Sequence, residues 1–389
     1  MTHSALYNEF CSSLKSEQIF RMLGQVASHS KSLIDFTSND YLSLSRHPVI
    51  VDAFCKYAKE FGVGATGSRL LSGNLQIFHD LEKQVAAMKH TEAALIFSSG
   101  YQANSTALSS MLDTKVLQNQ ALVFFDKLNH ASLYHGCMLA GAKMVRYKHC
   151  NTKHLRILIE QYKDDVRPKF IVSETLFGMD GDIVDIAELI TISREFGAFL
   201  YLDDAHSTGM FGQHGHGLSS NHDFEGIDYA IMGTFSKAIG ASGGYIACSN
   251  ILRNYLINRC GGFIYSTAMP PALAAAILAA IALLPSLDEQ RDHIMRLANA
   301  LKQQLTSRGY DIGTSAAHNS HIVPIILDSS KDVVLYKDAL MESKIAVSAI
   351  RPPTSPTPRL RIALMAKHSE SDIEHLISSI VKNIQPKSS

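Results

Sequence analysis

One lysine of this chain lies where a lysine gains little from packing. Lys237 belongs to the run Gly233–Gly240, directly after the apolar stretch Tyr229–Met232, which predicts a buried strand. Small residues surround it, and Ser242–Gly244 leads into another apolar stretch. A primary amine in this setting is suited to forming a Schiff base with a carbonyl compound. Taken alone, a lysine at a strand end is more often a solvated charge.

A second polar group follows a neighbouring predicted strand. The run Asp203–His206 comes directly after the apolar stretch Ala198–Leu202. Pyridoxal 5′-phosphate (PLP) is bound through a lysine, and a carboxylate beside its pyridine nitrogen makes the ring an electron sink. Lys237 and Asp203 would supply these two groups. A turn or a metal site is the alternative for Asp203–His206, as it is for His214–His216, but no set of cysteines or histidines with zinc-like spacing completes such a site.

Further short motifs accompany these two groups. In chain order the set comprises Ser38–Leu42, Gly64–Gly73, Ser99–Tyr101, Asn129–Ser132, Met179–Asp182, Asp203–His206, Thr234–Lys237, Tyr265–Pro270, Arg351–Thr354 and Arg359–Arg361. In residue types and in order, these motifs resemble those of the α-oxoamine synthases, PLP-dependent enzymes of fold type I. The resemblance extends from about Phe36 to the C-terminus, and it depends on the whole set because any single motif is weak.

The resemblance implies a decarboxylating condensation of an amino acid with an acyl thioester carried on CoA or on an acyl-carrier protein. The runs Gly67–Asn74 and Ala349–Thr354 favour L-alanine and a pimeloyl thioester, as used in biotin biosynthesis. Sister enzymes that use glycine, serine or other acyl chains remain the alternative. Gly178 stands where a serine is often found, and Ser355–Pro358 replaces a glycine-containing turn. These departures concern specificity and leave the cofactor residues intact.

The resemblance also assigns roles to the cofactor residues. Lys237 carries PLP and moves the amino-acid proton, Asp203 contacts the ring nitrogen, and His130 stacks on the ring. His206 is placed near the ring oxygen, and these four residues form the expected catalytic set. The full cofactor-binding set comprises Gly100, Tyr101, His130, Glu174, Asp203, His206, Thr234, Lys237 and Thr267. Thr267 is expected to reach the phosphate from the neighbouring subunit of a homodimer.

The phosphate site is also supported by local sequence. Gly100 and Tyr101 join the predicted strand ending at Phe97 to a helical pattern that begins near Ala103. The first turn of a helix presents unpaired N–H groups and the positive end of a dipole, which suits an anion. An ordinary turn between a strand and a helix is the alternative interpretation.

Substrate-binding residues are expected both in the C-terminal part of the chain and within its first forty residues. Arg361 matches the family's arginine for the amino-acid carboxylate, because a planar guanidinium suits bidentate contact. Arg359 competes for this role, since strand alternation sends both side chains to the same face. The expected substrate-binding set is completed by Asn39, by Arg21 on the thioester side, and by Thr354.

The order of predicted elements indicates an α/β fold. Six apolar runs of strand length alternate with helical patterns: Ala93–Phe97, Ala121–Phe125, Phe170–Ser173, Ala198–Leu202, Tyr229–Met232 and Tyr245–Cys248. This alternation predicts a mostly parallel sheet, of seven strands in the fold type I family, buried on both faces. Candidate residues follow predicted strands, where ligands of such sheets bind. We expect an arm over 1–46, a large PLP-binding domain over 47–285 and a small C-terminal α+β domain over 286–389.

Composition excludes several other classes. Lysine plus arginine equals aspartate plus glutamate, at 36 each, so no basic excess favours nucleic acid. Six scattered cysteines without a CxxC pair suit reduced thiols in a cytoplasm. The apolar run Ala272–Leu284 is too short to cross a bilayer, and no secretory signal is evident, so we expect no membrane partner.

Two other functions are alternatives from the sequence. A dehydrogenase would need a dinucleotide loop after a strand, and Gly62–Gly67 does not follow one. A hydrolase would need a nucleophile elbow, which we do not find. A catalytically silent PLP-fold partner protein is disfavoured because Lys237, Asp203, His130 and Arg361 are all present.

Overall fold

The computed structural model describes residues 1–17, 19–21, 23 and 33–386. The chain divides into two compact units. The larger unit comprises residues 39–177 and 182–291, and the smaller unit comprises residues 1–38, 178–181 and 292–389. The domain limits predicted from the sequence, at 46 and 285, stay a prediction.

The described residues form strands and helices throughout both units. The strands are β1 (Ile34–Asp35), β2 (Ala93–Phe97), β3 (Leu122–Asp126), β4 (Lys143–Tyr147), β5 (Lys169–Glu174), β6 (Phe199–Asp203), β7 (Tyr229–Thr234), β8 (Gly244–Cys248), β9 (Ile322–Ile326), β10 (Ile345–Ala346), β11 (Ser348–Ile350) and β12 (Arg359–Ala363). The α-helices are His3–Ser16, Pro48–Phe61, Gln76–Lys89, Gly100–Gln102, Leu108–Met111, Thr114–Leu117, Ala131–Leu139, Thr152–Glu160, Ile186–Phe196, Asn250–Arg259, Gly261–Ile264, Pro271–Leu283, Asp288–Ser307, Ser330–Glu342 and Glu370–Asn383. A π-helical turn, Ala103–Ala107, continues the helix that begins at Gly100.

The larger unit is built on a seven-stranded sheet in the order β2-β8-β7-β6-β5-β3-β4. Only β8 runs antiparallel to its neighbours, so the predicted mostly parallel α/β sheet is confirmed. Every residue of β2, β3 and β8 is buried, as expected for strands covered on both faces. The sequence prediction missed β4, an edge strand in which Lys143 and Arg146 are exposed and interrupt the apolar pattern.

Local signals set the element limits. The helix Ile186–Phe196 begins after Asp185, whose side chain accepts a hydrogen bond from the N–H of Glu188. It ends at Gly197, which adopts φ +60°, a left-handed conformation that glycine tolerates without strain. The apolar run near residue 272 forms the helix Pro271–Leu283, which is largely buried. Within the described residues no single helix is long and apolar enough to span a membrane, although the bent pair Pro271–Ser286 and Asp288–Ser307 together meets that length and composition.

The smaller unit combines short sheets with helices, as the predicted α+β character requires. Strands β11, β12 and β9 form an antiparallel sheet in that order, and β1 pairs in parallel with β10. The helix Glu370–Asn383 begins with a capping box formed by Ser369 and Asp372. Strand β12 carries Arg359 and Arg361 on one face, two residues apart.

A buried ion pair joins a helix of the larger unit to the loop after β6. Lys89 lies in the last turn of the helix Gln76–Lys89. Its Nζ atom is 2.5 Å from Oδ2 of Asp204, and both side chains are fully buried. Lys89 also donates to Thr208 Oγ1 at 3.1 Å. Burial alone would lower the pKa of Lys89, but the Asp204 carboxylate outweighs it and raises that pKa above its ordinary value. The pair is therefore charged, and each charge depends on the other.

Loss of this pair should destabilise the fold. We expect Lys89→Met to lower the free energy of unfolding by about 3 kcal/mol or more, because Asp204 would remain buried without its countercharge. Lys83→Met is the matched control, since Lys83 lies on the same helix but is exposed, and it should change stability by less than about 0.5 kcal/mol. Urea unfolding followed by circular dichroism measures both. Equal losses in the two variants would contradict the assignment.

Candidate active site

The parallel register of the sheet brings the candidate residues to one edge. Glu174 and Asp203 are paired residues at the carboxyl ends of β5 and β6, and Asp203 is paired with Met232 of β7. His130 lies in the loop after β3, and Lys237 lies in the loop after β7. Ligands of open α/β sheets bind at this edge. The structure therefore brings together four residues that are far apart in the sequence.

Asp203 is a buried carboxylate with its oxygens held in place. Its side chain belongs to a residue that is only 5% exposed. Oδ1 accepts a hydrogen bond from the N–H of Ala205 at 3.0 Å, and Oδ2 accepts one from Nδ2 of Asn104 at 2.6 Å. These two donors hold the Asp203 side chain in one orientation at the end of β6.

Glu174 and His130 are joined by a hydrogen bond. Oε1 of Glu174 accepts from the N–H of His130 at 2.7 Å, which fixes the loop after β3 to the end of β5. Burial and the nearby Asp203 raise the pKa of Glu174 to about 8, although Lys237 acts against this. His130 is exposed at the surface. Partial burial of its imidazole lowers the pKa, and the positive charges of Lys237 and His135 lower it further, whereas the Asp203 carboxylate raises it.

His206 is oriented by a tyrosine. Its Nδ1 lies 2.8 Å from the hydroxyl of Tyr41, and the same hydroxyl lies 3.1 Å from Oδ1 of Asn39. His206 and Tyr41 are both buried. Asn39, predicted to contact substrate, therefore belongs to the network that positions His206.

At the predicted phosphate site, the backbone at Gly100 and the backbone at Gly244 approach each other closely. A Cβ atom added at Gly100 would lie 2.9 Å from the Met232 side chain and 3.2 Å from Oγ1 of Thr234. A Cβ atom at Gly244 would lie 2.8 Å from Cα of Gly100. At Gly244 the obstacle is backbone, so only glycine fits there, and the start of the helical stretch Gly100–Met111 lies against β8 and beside Thr234. That arrangement suits an anion.

Tyr101 and Lys237 complete the larger unit's part of the site. The Tyr101 hydroxyl makes a short contact with Nδ1 of His135, and its ring meets that of His130 edge-on with centroids 6.4 Å apart. Lys237 is half-buried, and its backbone carbonyl accepts a hydrogen bond from Gly240 at 2.8 Å in the turn after β7. Its positive charge lowers the pKa values of His130 and Glu174.

Thr267 is exposed in the larger unit. Its backbone forms an isolated antiparallel bridge with Ser68, within the glycine-rich run Gly64–Gly73. The nearby Tyr265 is 87% exposed, and Leu71 is 78% exposed. The structure contains one chain, so a role for Thr267 in another subunit stays a prediction.

The smaller unit holds the candidate substrate arginines. Arg361 is 4% exposed and donates from Nε to the carbonyl of Gly178, whereas Arg359 forms an ion pair with Asp180. Both arginines therefore contact the segment 178–181, as side chains on one face of β12 would. Arg21 donates from Nη2 to Oγ1 of Thr354 at 2.7 Å, so two predicted substrate residues lie in contact.

A charged cluster beyond the candidate residues contains the one metal-like group found among the described residues. Nδ1 and Nε2 of His149 lie 2.9 Å from carboxylate oxygens of Asp126 and Asp182, respectively, and Cys150 lies close by. Burial lowers the pKa of His149, but the hydrogen bonds to both aspartates raise it to about 11. An imidazolium with both nitrogens protonated cannot ligate a metal. The cluster is therefore a doubly paired cation.

The sequence did not reveal the residues that hold the candidate side chains in position. Tyr41 lies inside the motif Ser38–Leu42 and Asn104 lies three residues after the motif Ser99–Tyr101, but neither residue was given a role. Ser132 and Tyr201 carry polar groups that contact this network. Their signal was weak, because a polar residue in a motif or a tyrosine in a buried strand has many possible partners. Only the fold shows which ones they meet.

Comparison with known proteins agrees with this geometry. Residues 31–380 match the family model for class I and II aminotransferases. A putative 8-amino-7-oxononanoate synthase from Paramagnetospirillum magneticum is 43% identical over 364 residues, covering 93% of this chain and 91% of the relative. A serine palmitoyltransferase from S. paucimobilis, solved with a PLP–myriocin aldimine, has TM-score 0.88 and 26% identity, covering 97% of this chain and 96% of that one. An 8-amino-7-oxononanoate synthase from Francisella tularensis has TM-score 0.78 and 27% identity, covering 91% and 98%.

This chain belongs to the class I and II aminotransferase family, with the fold of type I PLP-dependent transferases, and within it to the α-oxoamine synthases. The resemblance noted in the sequence is thereby confirmed. The roles of individual site residues are a separate matter and remain predictions.

Proposed function

We propose that this chain is a PLP-dependent acyltransferase of biotin biosynthesis. It condenses L-alanine with a pimeloyl thioester, carried on CoA or on a carrier protein, and releases the thiol and carbon dioxide to give 8-amino-7-oxononanoate. The observation that carries the proposal is the 43% identity, over 93% of the chain, to a relative named for this product. The sheet edge with Lys237, Asp203 and His130 supports it independently.

The residues present fit PLP. The close approach of Gly100 and Gly244 brings the start of the helical stretch beside Thr234, whose hydroxyl donates to the Gly243 carbonyl at 2.7 Å and would have to turn to meet a phosphate. Asp203 offers a buried, hydrogen-bonded carboxylate for a protonated pyridine nitrogen. Lys237 offers a half-buried amine for covalent attachment. When bound, PLP supplies an electron sink that stabilises negative charge on the Cα atom of the amino acid.

The protein's own groups move protons and hold charge around that sink. Nζ of Lys237 would be the base that accepts the Cα proton of alanine and would later return a proton to carbon. His130, whose pKa is lowered by its surroundings and by nearby Lys237 and His135, is neutral near pH 7 and offers an N–H to a developing oxyanion or acyl carbonyl.

Arg361 is the proposed ligand of the amino-acid carboxylate. The choice between the two buried arginines of β12 follows from their partners, because Arg359 already neutralises the Asp180 carboxylate. Arg361 donates from Nε to the Gly178 carbonyl, and this hydrogen bond fixes the orientation of its guanidinium group. Arg21 and Thr354, which contact each other, are proposed for the thioester side.

A serine palmitoyltransferase activity is the second candidate. The TM-score to that enzyme is 0.88, above the 0.78 to the 8-amino-7-oxononanoate synthase. Sequence identity favours the alanine enzyme, at 43% against 26%. Since the same fold serves both substrates, the ranking rests on sequence, and an assay with alanine, glycine and serine separates them.

A homodimer in a reducing, cytoplasmic setting completes the proposal. The exposed apolar side chains Leu70, Leu71 and Tyr265 lie beside Thr267 and the glycine-rich run, and a patch of this kind indicates an interface. A second copy related by two-fold symmetry would cover it. All six cysteines are free, which suits a reducing compartment.

The first prediction concerns attachment and product. Borohydride reduction after PLP addition should fix the cofactor to the peptide that contains Lys237, and Lys237→Ala should lose both the label and product formation from alanine and pimeloyl-CoA. Lys127→Ala is the matched control, because this exposed lysine directly follows β3 at the same sheet edge. Mass spectrometry locates the label. A label on another lysine would contradict the attachment, and product only from serine or glycine would contradict the substrate.

The second prediction concerns the carboxylate. A charge-assisted bidentate pair contributes roughly 1.5–3 kcal/mol, so Arg361→Lys should weaken alanine binding about tenfold or more. Saturation by the thioester should change much less. Arg359→Lys, the neighbouring control, should affect alanine binding less, because this arginine pairs with Asp180. Spectral titration with alanine measures each constant, and the reverse order of effects would assign the carboxylate to Arg359.

The third prediction concerns assembly. Leu71→Glu should shift the protein from dimer to single chains in sedimentation velocity, because it places a charge in the proposed apolar interface. Val166→Glu, at a site 90% exposed and away from this patch, should leave the dimer intact. Thr267→Ala should weaken PLP retention while preserving the fold. A fully active single chain would exclude the proposed interface.

A further inference from the structure

Asn104 contacts both Asp203 and Ser132, which lies two residues after His130. It lies within the π-helical turn Ala103–Ala107 and is 1% exposed. A π-helical turn inserts a residue into an α-helix and turns its side chain to a new direction, and such turns recur at functional sites. A buried amide has four hydrogen-bonding positions, so its partners define its role.

Three of the contacts of this amide have fixed direction. Nδ2 donates to Oδ2 of Asp203 at 2.6 Å and to Oγ of Ser132 at 2.9 Å, and Oδ1 accepts from the hydroxyl of Tyr201 at 2.9 Å. A carboxylate can only accept, so the NH₂ group must face Asp203. The reversed amide would set its carbonyl oxygen against the carboxylate. Tyr201 therefore stabilises the orientation in which Asp203 receives a donor.

A chain of hydrogen bonds also runs from Asn104 through Ser132 to the imidazole of His130. Oγ of Ser132 lies 2.7 Å from Nδ1 of His130, and the N–H of Ser132 points to the same nitrogen at 3.3 Å. A backbone N–H can only donate, so Nδ1 is an acceptor and the ring proton lies on Nε2. Because Asn104 donates to Oγ, the Ser132 hydroxyl proton remains for Nδ1. The amide thus acts on the tautomer of His130 through Ser132.

We infer that Asn104 is a positioning residue that fixes the Asp203 carboxylate for the ring nitrogen of the cofactor and, through Ser132, the Nε2–H tautomer of His130. The inference rests on the proposed function in one respect, since it takes Asp203 and His130 as the residues that contact PLP. One amide would then orient both the Asp203 carboxylate, which is expected to contact the ring nitrogen, and His130, which is expected to stack on the ring. Asn104 itself touches neither substrate nor reacting atoms.

The experiment compares variants that cut the network at different points. Asn104→Leu removes all hydrogen bonds of the amide at similar side-chain volume. Tyr201→Phe removes only the hydrogen bond to the amide oxygen of Asn104. Ser132→Ala removes only the hydroxyl that links Asn104 to His130. Ser105→Ala is the matched control, because Ser105 is buried in the same π-helical turn and its hydroxyl bonds only to the Tyr101 carbonyl in the described contacts. Each apo-protein is titrated with PLP carrying an isotope label at the pyridine nitrogen.

The expected results differ by branch. Asn104→Leu should raise the dissociation constant of PLP about tenfold or more and move the NMR shift of the pyridine nitrogen toward that of the unprotonated ring, because the carboxylate loses a charge-assisted donor. Tyr201→Phe should show the same change at smaller size. Ser132→Ala should leave that shift in place and alter the circular dichroism of the bound cofactor. Ser105→Ala should match the parent protein in every measurement.

Several outcomes would overturn the inference. If Asn104→Leu lowers thermal stability but binds PLP with parental affinity and nitrogen shift, Asn104 is a packing residue only. If Asn104→Leu fails to fold, the decision passes to Tyr201→Phe, and a parental nitrogen shift there refutes the role. Failure of the proposed function looks different. If the parent protein binds PLP but makes no 8-amino-7-oxononanoate, the proposed reaction is contradicted, and the role of Asn104 can still be judged from PLP binding. If the parent protein does not bind PLP, both the proposed function and the role of Asn104 are contradicted.

Discussion

The parallel pairing of β5, β6 and β7 is the constraint on which the rest of the site depends. It sets Glu174 opposite Asp203 and Asp203 opposite Met232, so the loops after these strands must begin within a few ångströms of one another. Apolar strands covered on both faces tolerate no slip, because a shift by one residue would exchange the two faces. The chemistry of the larger unit therefore rests on a hydrophobic register, and the polar residues occupy positions that the register has already fixed.

Negative charge accumulates at this edge and is balanced in distinct ways. Asp204 is neutralised by buried Lys89, and Asp126 and Asp182 share the imidazolium of His149. Asp203 instead receives neutral donors, from Asn104 and from the N–H of Ala205. A carboxylate held by neutral donors keeps its charge available to a cationic ligand. Burial and the nearby Asp203 raise the pKa of Glu174 to about 8, which disfavours a further negative charge at this edge.

The sequence predicted the architecture and the reactive groups better than their supports. Six of the seven sheet strands follow from apolar runs, and Lys237, Asp203 and His130 follow from motif order. Strand β4 was missed because exposed Lys143 and Arg146 break its pattern, as happens at sheet edges. Asn104, Tyr41 and Ser132 could not be assigned, because their roles depend on contacts between residues distant in the chain. Alternation could not separate Arg359 from Arg361, and the pairing of Arg359 with Asp180 is the observation on which our proposal of Arg361 rests.

The segment 178–181 has a consequence for the order in which the chain is made. It belongs to the smaller unit, although the chain on both sides of it belongs to the larger one. Its contact with Arg361 joins residues 183 positions apart. During synthesis these four residues leave the ribosome long before β12 does, so their arginine partners become available only much later. The nascent larger unit therefore carries an unfinished loop, with the Asp180 carboxylate in water, until the C-terminal strands are released.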